Sequence, residues 1–175
     1  MKNNLLVWQV AGLTFTAVLG TLLHFLFQWS NLTVFAPISS VNESTFEHMK
    51  LAFVPSLIFA FIQSCFSKDY KCFWLVKLIG IFLGTLLIPV LFYTLSGAFG
   101  KLSAIIDISI FFVSIIIQYF IEYLLFDRLN CKHNLNWLYV ILLLLIFALF
   151  ITFTFYPPKI PLFLDPVTKT YGIAK

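Results

Sequence analysis

The chain has 175 residues, of which 61% are hydrophobic and only 10% are charged, and its formal net charge is +4. Soluble domains carry about 25% charged residues, so this chain cannot bury its apolar surface in a single water-soluble core. Its basic residues lie at the edges of apolar segments, as in membrane proteins, and no basic block indicates nucleic-acid binding. The composition therefore excludes a soluble protein and predicts helices that cross a lipid bilayer.

Five apolar segments, each about 20 residues or longer, predict five transmembrane helices. In chain order they cover residues 5–29, 46–65, 73–95, 102–126 and 137–156. The first segment exceeds the apolar part of a signal peptide and lacks a clear cleavage site, so we interpret it as a retained helix. The predicted fold is an all-α, polytopic transmembrane bundle in which residues 1–156 form a single domain.

The carboxyl-terminal segment, residues 157–175, reads PPKIPLFLDPVTKTYGIAK. Its four prolines prevent it from continuing the last helix. We expect a short extramembrane tail in which Leu162, Phe163 and Tyr171 pack back against the bundle.

Small residues recur at four-residue steps in two predicted helices. The first contains Gly12, Thr16 and Gly20, and the third contains Gly80 and Gly84. This spacing is typical of helices that approach one another closely in lipid. We interpret the glycines as packing positions.

The fourth predicted helix carries Asp107, Ser114, Gln118 and Glu122 on one face, within an arc of about 80°. A carboxylate that faces lipid at mid-bilayer costs several kcal/mol, so this face should turn toward the bundle interior. Two interpretations stay open. The carboxylates are solvated near the interfaces or paired with lysine, or Asp107, Gln118 and Glu122 line a proton or ion path.

The segment SSVNESTFEHMKLAFVP, residues 39–55, concentrates polar residues in an otherwise apolar chain. Ser44 and Glu47 form a capping-box pattern directly before an apolar segment. In that motif Ser44 accepts a hydrogen bond from the Glu47 N–H, and Glu47 reaches back toward the cap. Asn42 and Glu43 suit the positive end of the helix.

The predicted topology brings ionisable residues from distant segments to one end of the bundle. This predicted polar cluster contains Asn42, Glu43, Ser44, Glu47, His48, Lys50, Asp107, Asp165 and Tyr171, with His24 at the end of the first helix.

Imidazole and carboxylate groups bind zinc-like divalent ions and also serve as acid–base pairs. Glu47, His48 and His24 are therefore the candidate catalytic or metal-binding residues. Glu47 and His48 are adjacent, so on a helix they point about 100° apart and cannot simply chelate one ion. A structural network, with Lys50 one turn from Glu47, is the alternative interpretation. Apart from this possible divalent metal, the sequence indicates no cofactor.

Basic residues indicate the membrane orientation only weakly. The amino-terminal face would carry Lys2, Lys68, Lys71, Lys77, Arg128 and Lys132. The opposite face would carry Lys50, Lys101, Lys159, Lys169 and Lys175.

The cysteines fall on the amino-terminal face, where a reducing cytoplasm would keep Cys65, Cys72 and Cys131 as thiols. We expect a cell-membrane protein with a cytoplasmic amino terminus and an external tail.

The stretches SSVNESTFEHMKL and PLFLDPVTKTYG resemble an uncharacterised family of small bacterial integral membrane proteins. Members have an N-E-S-x-x-E-H-x-K-L segment after the first helix and a D-P-x-T-x-x-Y-G tail. The resemblance covers most of the chain and implies a polytopic membrane protein, without implying an activity. Ser40, Phe46 and Lys169 depart from the family pattern of proline, tryptophan and glycine, and the last departure bears on a tight turn in the tail.

Three function classes follow from the sequence. The favoured one is a structural or accessory membrane protein whose polar cluster fixes helix packing. The second is a membrane-embedded enzyme or a protein that binds a metal or lipid headgroup. The third is an ion- or proton-coupled carrier component that uses the polar face of the fourth helix. The expected partners are the lipid bilayer and a second copy of the chain or another membrane protein, with no nucleic acid.

Overall fold

A computed structural model describes residues 2–67, 70, 72–131 and 135–173 of the chain. Within these residues the fold has five α-helices and no β-strand. The helices are α1, Lys2–Ser30; α2, Thr45–Phe66; α3, Phe73–Phe99; α4, Ala104–Arg128; and α5, Asn136–Phe155. All five are long and apolar enough to span a membrane, which confirms the all-α prediction of five helices.

The helix ends differ from the predicted ones mainly in α3, which ends at Phe99 rather than at residue 95. Pro89 lies inside α3 and Pro55 inside α2 without ending either helix. Helices in a bundle tolerate proline because neighbouring side chains can satisfy the backbone groups that it frees. Gly100, with a φ of +80°, follows the last residue of α3.

Helices α1 to α4 form a ring, and α2 and α4 also contact each other across it through Ser56 and Gln118. α1 packs against α2 and α4, and α3 packs against the same two helices. α5 packs against α3 and α2. α2 is the most buried helix, so its polar residues face other helices rather than lipid.

Glycines allow α3 to approach α4 closely. A Cβ atom on Gly80 would lie under 3.0 Å from the Glu122 side chain, and one on Gly84 would meet Gln118 in the same way. Gly12 of α1 stands equally close to Tyr119 of α4. These glycines are therefore the packing positions at which α4 contacts its two neighbours.

The tail folds against the end of the bundle. The buried ring of Phe163 lies 4.5 Å from the ring of Phe46, centre to centre. Leu164 and Tyr171 form an isolated antiparallel bridge. Between them Lys169 adopts a φ of +59°, so the tight turn forms although lysine stands where the family pattern has glycine.

The amino-terminal end of the bundle corrects two sequence expectations. Cys72 and Cys131 form a disulfide, whereas Cys65 is free and exposed, so the expectation of three thiols is wrong. The fold brings their Cα atoms to 5.5 Å across a separation of 59 residues, which composition cannot reveal. Lys77 is buried and does not contribute a surface charge.

Four basic residues of the orientation count lie outside the described residues, namely Lys68, Lys71, Lys132 and Lys175.

Candidate functional site

Three side chains from two helices and one connection meet at the end of the bundle where α1 ends and α2 begins. His24 belongs to α1, Glu43 to the connection and His48 to α2, and we call this group the rim site. One oxygen of Glu43 lies 3.7 Å from Nε2 of His24, and the other lies 3.7 Å from Nε2 of His48. The three side chains are 23–36% exposed, so the rim site is accessible to solvent.

A backbone hydrogen bond sets the orientation of the His48 ring. Its Nδ1 lies 2.9 Å from the carbonyl oxygen of Ser44, and because a carbonyl only accepts, Nδ1 carries the proton. In the neutral ring, Nε2 then presents its lone pair toward Glu43. The Nδ1 atom of His24 is buried and has no hydrogen-bond partner among the described residues.

The residues on both sides of Glu43 are fixed by hydrogen bonds. The Asn42 amide donates to the carbonyl oxygen of Gly172 in the tail at 2.9 Å. The Ser44 N–H donates to the side-chain oxygen of Asn42 at 2.9 Å, and the Ser44 hydroxyl caps α2 by accepting from the Glu47 N–H. The tail and the helix cap therefore hold the segment that presents Glu43.

Only half of the predicted capping box forms. Ser44 accepts from the Glu47 N–H as expected, but Glu47 accepts from the N–H of Val41 instead of returning to the cap. The Ser44 N–H, which Glu47 would bond in a full capping box, instead donates to the side-chain oxygen of Asn42.

Glu47 belongs to a second group, separate from the rim site, which we call the clamp. Its carboxylate lies 2.7 Å from Nζ of Lys50, and both side chains are almost fully buried. Lys50 also donates to the carbonyl of Ala36 and to the hydroxyl of Thr154, each at 2.8 Å. The three N–H bonds of Lys50 are thus used to join α2, the α1–α2 connection and α5.

The remaining residues of the predicted cluster lie around these two groups. Asp107, in the first turn of α4, interacts electrostatically with His48, and its Oδ1 is buried without a hydrogen-bond partner among the described residues. Asp165 is buried in the tail turn, where it accepts from Val167 and Thr168. Tyr171 packs on the apolar core.

The polar face of α4 turns inward, as its spacing predicts. Ser114, Gln118 and Glu122 are fully buried. The Lys77 ammonium of α3 donates to Glu122 at 2.5 Å, and Gln118 donates to the other carboxylate oxygen at 3.2 Å. The sequence signal that could have found Lys77 is depth, because Lys77 lies near the start of α3 and Glu122 near the end of α4, and these two helix ends lie at the amino-terminal face.

The rim site brings together the two imidazoles that the sequence singled out, but with Glu43 rather than Glu47 between them. The ligand atoms of His24, Glu43 and His48 all lie within 4.8 Å of one another. Imidazole nitrogen and carboxylate oxygen together suit zinc and similar divalent ions. The clamp, by contrast, has a cation built in and its partners already in place.

A model of a family of unknown function, DUF6512, matches residues 1–173. No curated protein and no solved structure matches the chain.

Proposed function

The chain belongs to this family of unknown function, and we propose that it is a multi-pass membrane protein that binds a divalent transition-metal ion, such as zinc, at the rim site. The observation that carries the proposal is the Glu43 carboxylate, whose two oxygens each face Nε2 of a different histidine at 3.7 Å. Hydrogen bonds to a ligating histidine typically fix its ring, and the Ser44 carbonyl does this for His48.

The spacing of the donor atoms suits a tetrahedral ion after small side-chain rotations. Such an ion holds its ligand atoms about 3.3 Å apart, given metal–ligand distances of about 2.0 Å. The three donor atoms already lie within 4.8 Å of one another. Two histidines and one glutamate leave a coordination position for water or an external ligand. Asp107 adds negative charge beside the site, which offsets the charge of a divalent ion.

The clamp supports a structural function next to the rim site. Glu47, Lys50 and Thr154 hold α2 against α5, and Lys50 has a partner for each of its N–H bonds. A buried ion pair with such complete partners fixes helix packing. We therefore assign helix packing to the clamp and ligand binding to the rim site.

Zinc titration of the purified, chelator-stripped protein in detergent tests the metal proposal. The wild type should bind a single ion per chain. His24→Ala, Glu43→Gln and His48→Ala should each weaken binding by more than the about 10–100-fold that loss of an outer-shell partner costs, because each removes a ligand or replaces a charged one by a neutral amide.

The matched control is His133→Ala, which removes the third histidine, located in the sequence between α4 and α5 and outside the described residues. It should leave the Kd unchanged. Wild-type affinity in both His24→Ala and His48→Ala would refute the proposal.

We also propose a membrane orientation opposite to the one expected from the sequence. The Cys72–Cys131 disulfide lies at the amino-terminal face, and disulfides persist on the oxidising side of a membrane. With Lys50 and Lys77 buried in ion pairs, each face loses one counted basic residue, so the count still favours neither face clearly. The rim site and the tail then face the cytoplasm, and impermeant thiol reagents applied to intact cells distinguish the two orientations.

A further inference from the structure

The interior of the bundle contains a charged pair that neither the rim site nor the clamp uses. Lys77 and Glu122 are 1% and 0% exposed, and they join α3 to α4 below the amino-terminal face. Burying two charges away from water costs several kcal/mol per ion before pairing offsets it. An ionisable residue within a transmembrane segment is therefore a candidate functional site.

A chain of hydrogen bonds extends from this pair through the other helices of the ring. Gln118 contacts Glu122 and donates to the Ser56 hydroxyl of α2 at 3.0 Å. Ser56 lies 3.4 Å from Thr16 of α1, and Thr16 lies 2.8 Å from the Tyr119 hydroxyl. Each hydroxyl can both donate and accept, so the direction of the hydrogen bonds in this part can reverse.

Toward the amino-terminal face, further polar residues follow on the faces of α1 and α2 that carry Thr16 and Ser56. Gln9 lies two turns from Thr16 on α1, and Gln63 lies two turns from Ser56 on α2. Both glutamines are buried, and neither amide has a hydrogen-bond partner among the described residues. Buried amides without protein partners typically bind internal water.

Toward the rim, further buried oxygens follow. The hydroxyls of Ser114 and Thr85 have no partner within the described part of the chain. Pro55 has no N–H to donate to the Leu51 carbonyl, and that carbonyl faces Gly20 so closely that a Cβ there would lie 2.8 Å from it. Backbone freed in this way at membrane depth is tolerated where it is buried in protein or lines a water-filled cavity.

We propose that these buried polar groups form a proton pathway across the membrane. Glu122 is the group that holds the proton in transit. A proton that arrives through water converts the Glu122 carboxylate to a neutral carboxylic acid, and it leaves to water on the other side, which restores the carboxylate. The chain of hydroxyls, amides and single waters suits protons rather than hydrated ions.

Lys77 has the surroundings that such a cycle requires. Its ammonium lies 5.4–5.8 Å from the ring centres of four aromatic residues, namely Phe59, Phe73, Tyr119 and Phe126. Aromatic faces attract a cation, so they hold the ammonium while Glu122 is neutral. Among the described residues, Lys77 of α3 is the titratable group that acts on Glu122, and Glu122 in turn acts on the Tyr119 hydroxyl of α4. Helices α1 and α2 present Thr16 and Ser56 to this network.

Liposomes that contain the purified protein and a trapped pH-sensitive dye test the pathway under an imposed potassium diffusion potential. Liposomes with the wild-type protein should change their luminal pH faster than protein-free liposomes, in the direction set by the imposed potential. Glu122→Gln should lower this rate by at least about tenfold, because an amide cannot carry the proton. Thr14→Val is the matched control, since Thr14 is exposed and bonds only to its own helix.

A second variant keeps the test decisive if Glu122→Gln fails to fold with Lys77 unpaired. The double variant Lys77→Gln with Glu122→Gln removes both charges and keeps two polar side chains of similar size, and it should be equally inactive. A wild-type rate equal to that of empty liposomes, or a double variant that retains the flux, overturns the pathway. Zinc binding at the rim site should be unchanged in both variants, so the two proposals can fail separately.

Discussion

Lys50 illustrates how a single residue decides the stability of the clamp. It is fully buried and holds Glu47, the Ala36 carbonyl and Thr154 in one place. Removing one partner of a buried pair costs more than removing both, because the remaining charge loses its compensation. The clamp should therefore respond very differently to single and double substitutions.

Lys50→Met should lower the free energy of unfolding by about 3–5 kcal/mol, because Glu47 stays buried without its cation. The double variant Lys50→Met with Glu47→Gln should recover much of this loss, since the amide oxygen still accepts from Val41. Thermal unfolding in detergent measures both effects, and Lys101→Met, at an exposed position, is the matched control. Equal destabilisation by the single and double variants would contradict a charge-based role for the clamp.

The residue types of the rim site could be predicted from sequence, but their grouping could be predicted only in part. The 100° angle between adjacent helical residues already argued that Glu47 and His48 do not share an ion. Glu43 lies outside the helix, in a segment held by Asn42 and Ser44, and helical periodicity does not determine its direction. Neighbouring contacts such as Lys77 with Glu122 depend on how two helices rotate against each other, which sequence spacing leaves open.

At the scale of elements, the contact between α3 and α4 depends on glycine. Gly80 faces the Glu122 side chain and Gly84 faces Gln118, with no room for a Cβ atom at either position. Both pairs lie on the polar face of α4, so close approach and buried polarity occur at the same contact. The four-residue spacing of these glycines and the length of the apolar segments are local features. The packing role of the glycines and the number of helices could therefore be predicted from the sequence.

Gly80→Val should force α3 away from α4 and lower the free energy of unfolding by about 1–3 kcal/mol through overpacking. It should also separate Lys77 from Glu122. Gly97→Val is the control on the same helix, because nothing lies within 4 Å of a Cβ at that position. Thermal melting of the two variants side by side measures the difference, and a Gly80→Val protein as stable as Gly97→Val would disprove tight packing at this contact.

At the scale of the whole molecule, the bundle has two chemically different ends. One end carries the rim site, the clamp and the tail, and the other carries the disulfide between Cys72 and Cys131. The sequence predicted the number of helices because twenty apolar residues span a bilayer in any fold. The orientation expected from the sequence depended on three free thiols, and the pairing of Cys72 with Cys131 is a long-range contact that the sequence does not reveal.

Thiol labelling of intact cells tests the orientation proposed from the disulfide. In a Cys65→Ser background, an impermeant maleimide should label the chain only after treatment with an impermeant reductant, because Cys72 and Cys131 are then bonded and external. A Val167→Cys substitution in a background without other cysteines should report the exposed tail, labelled only after lysis. Tail labelling in intact cells would refute this orientation.

X-ray absorption at the zinc edge of the zinc-loaded, purified protein tests whether the rim site is a metal centre. We expect a first shell of nitrogen and oxygen at about 2.0–2.2 Å with the outer-shell scattering of two imidazoles, reduced to one imidazole in His24→Ala. A shell without imidazole scattering, or one that His24→Ala and His48→Ala leave unchanged, would contradict a metal centre at the rim site.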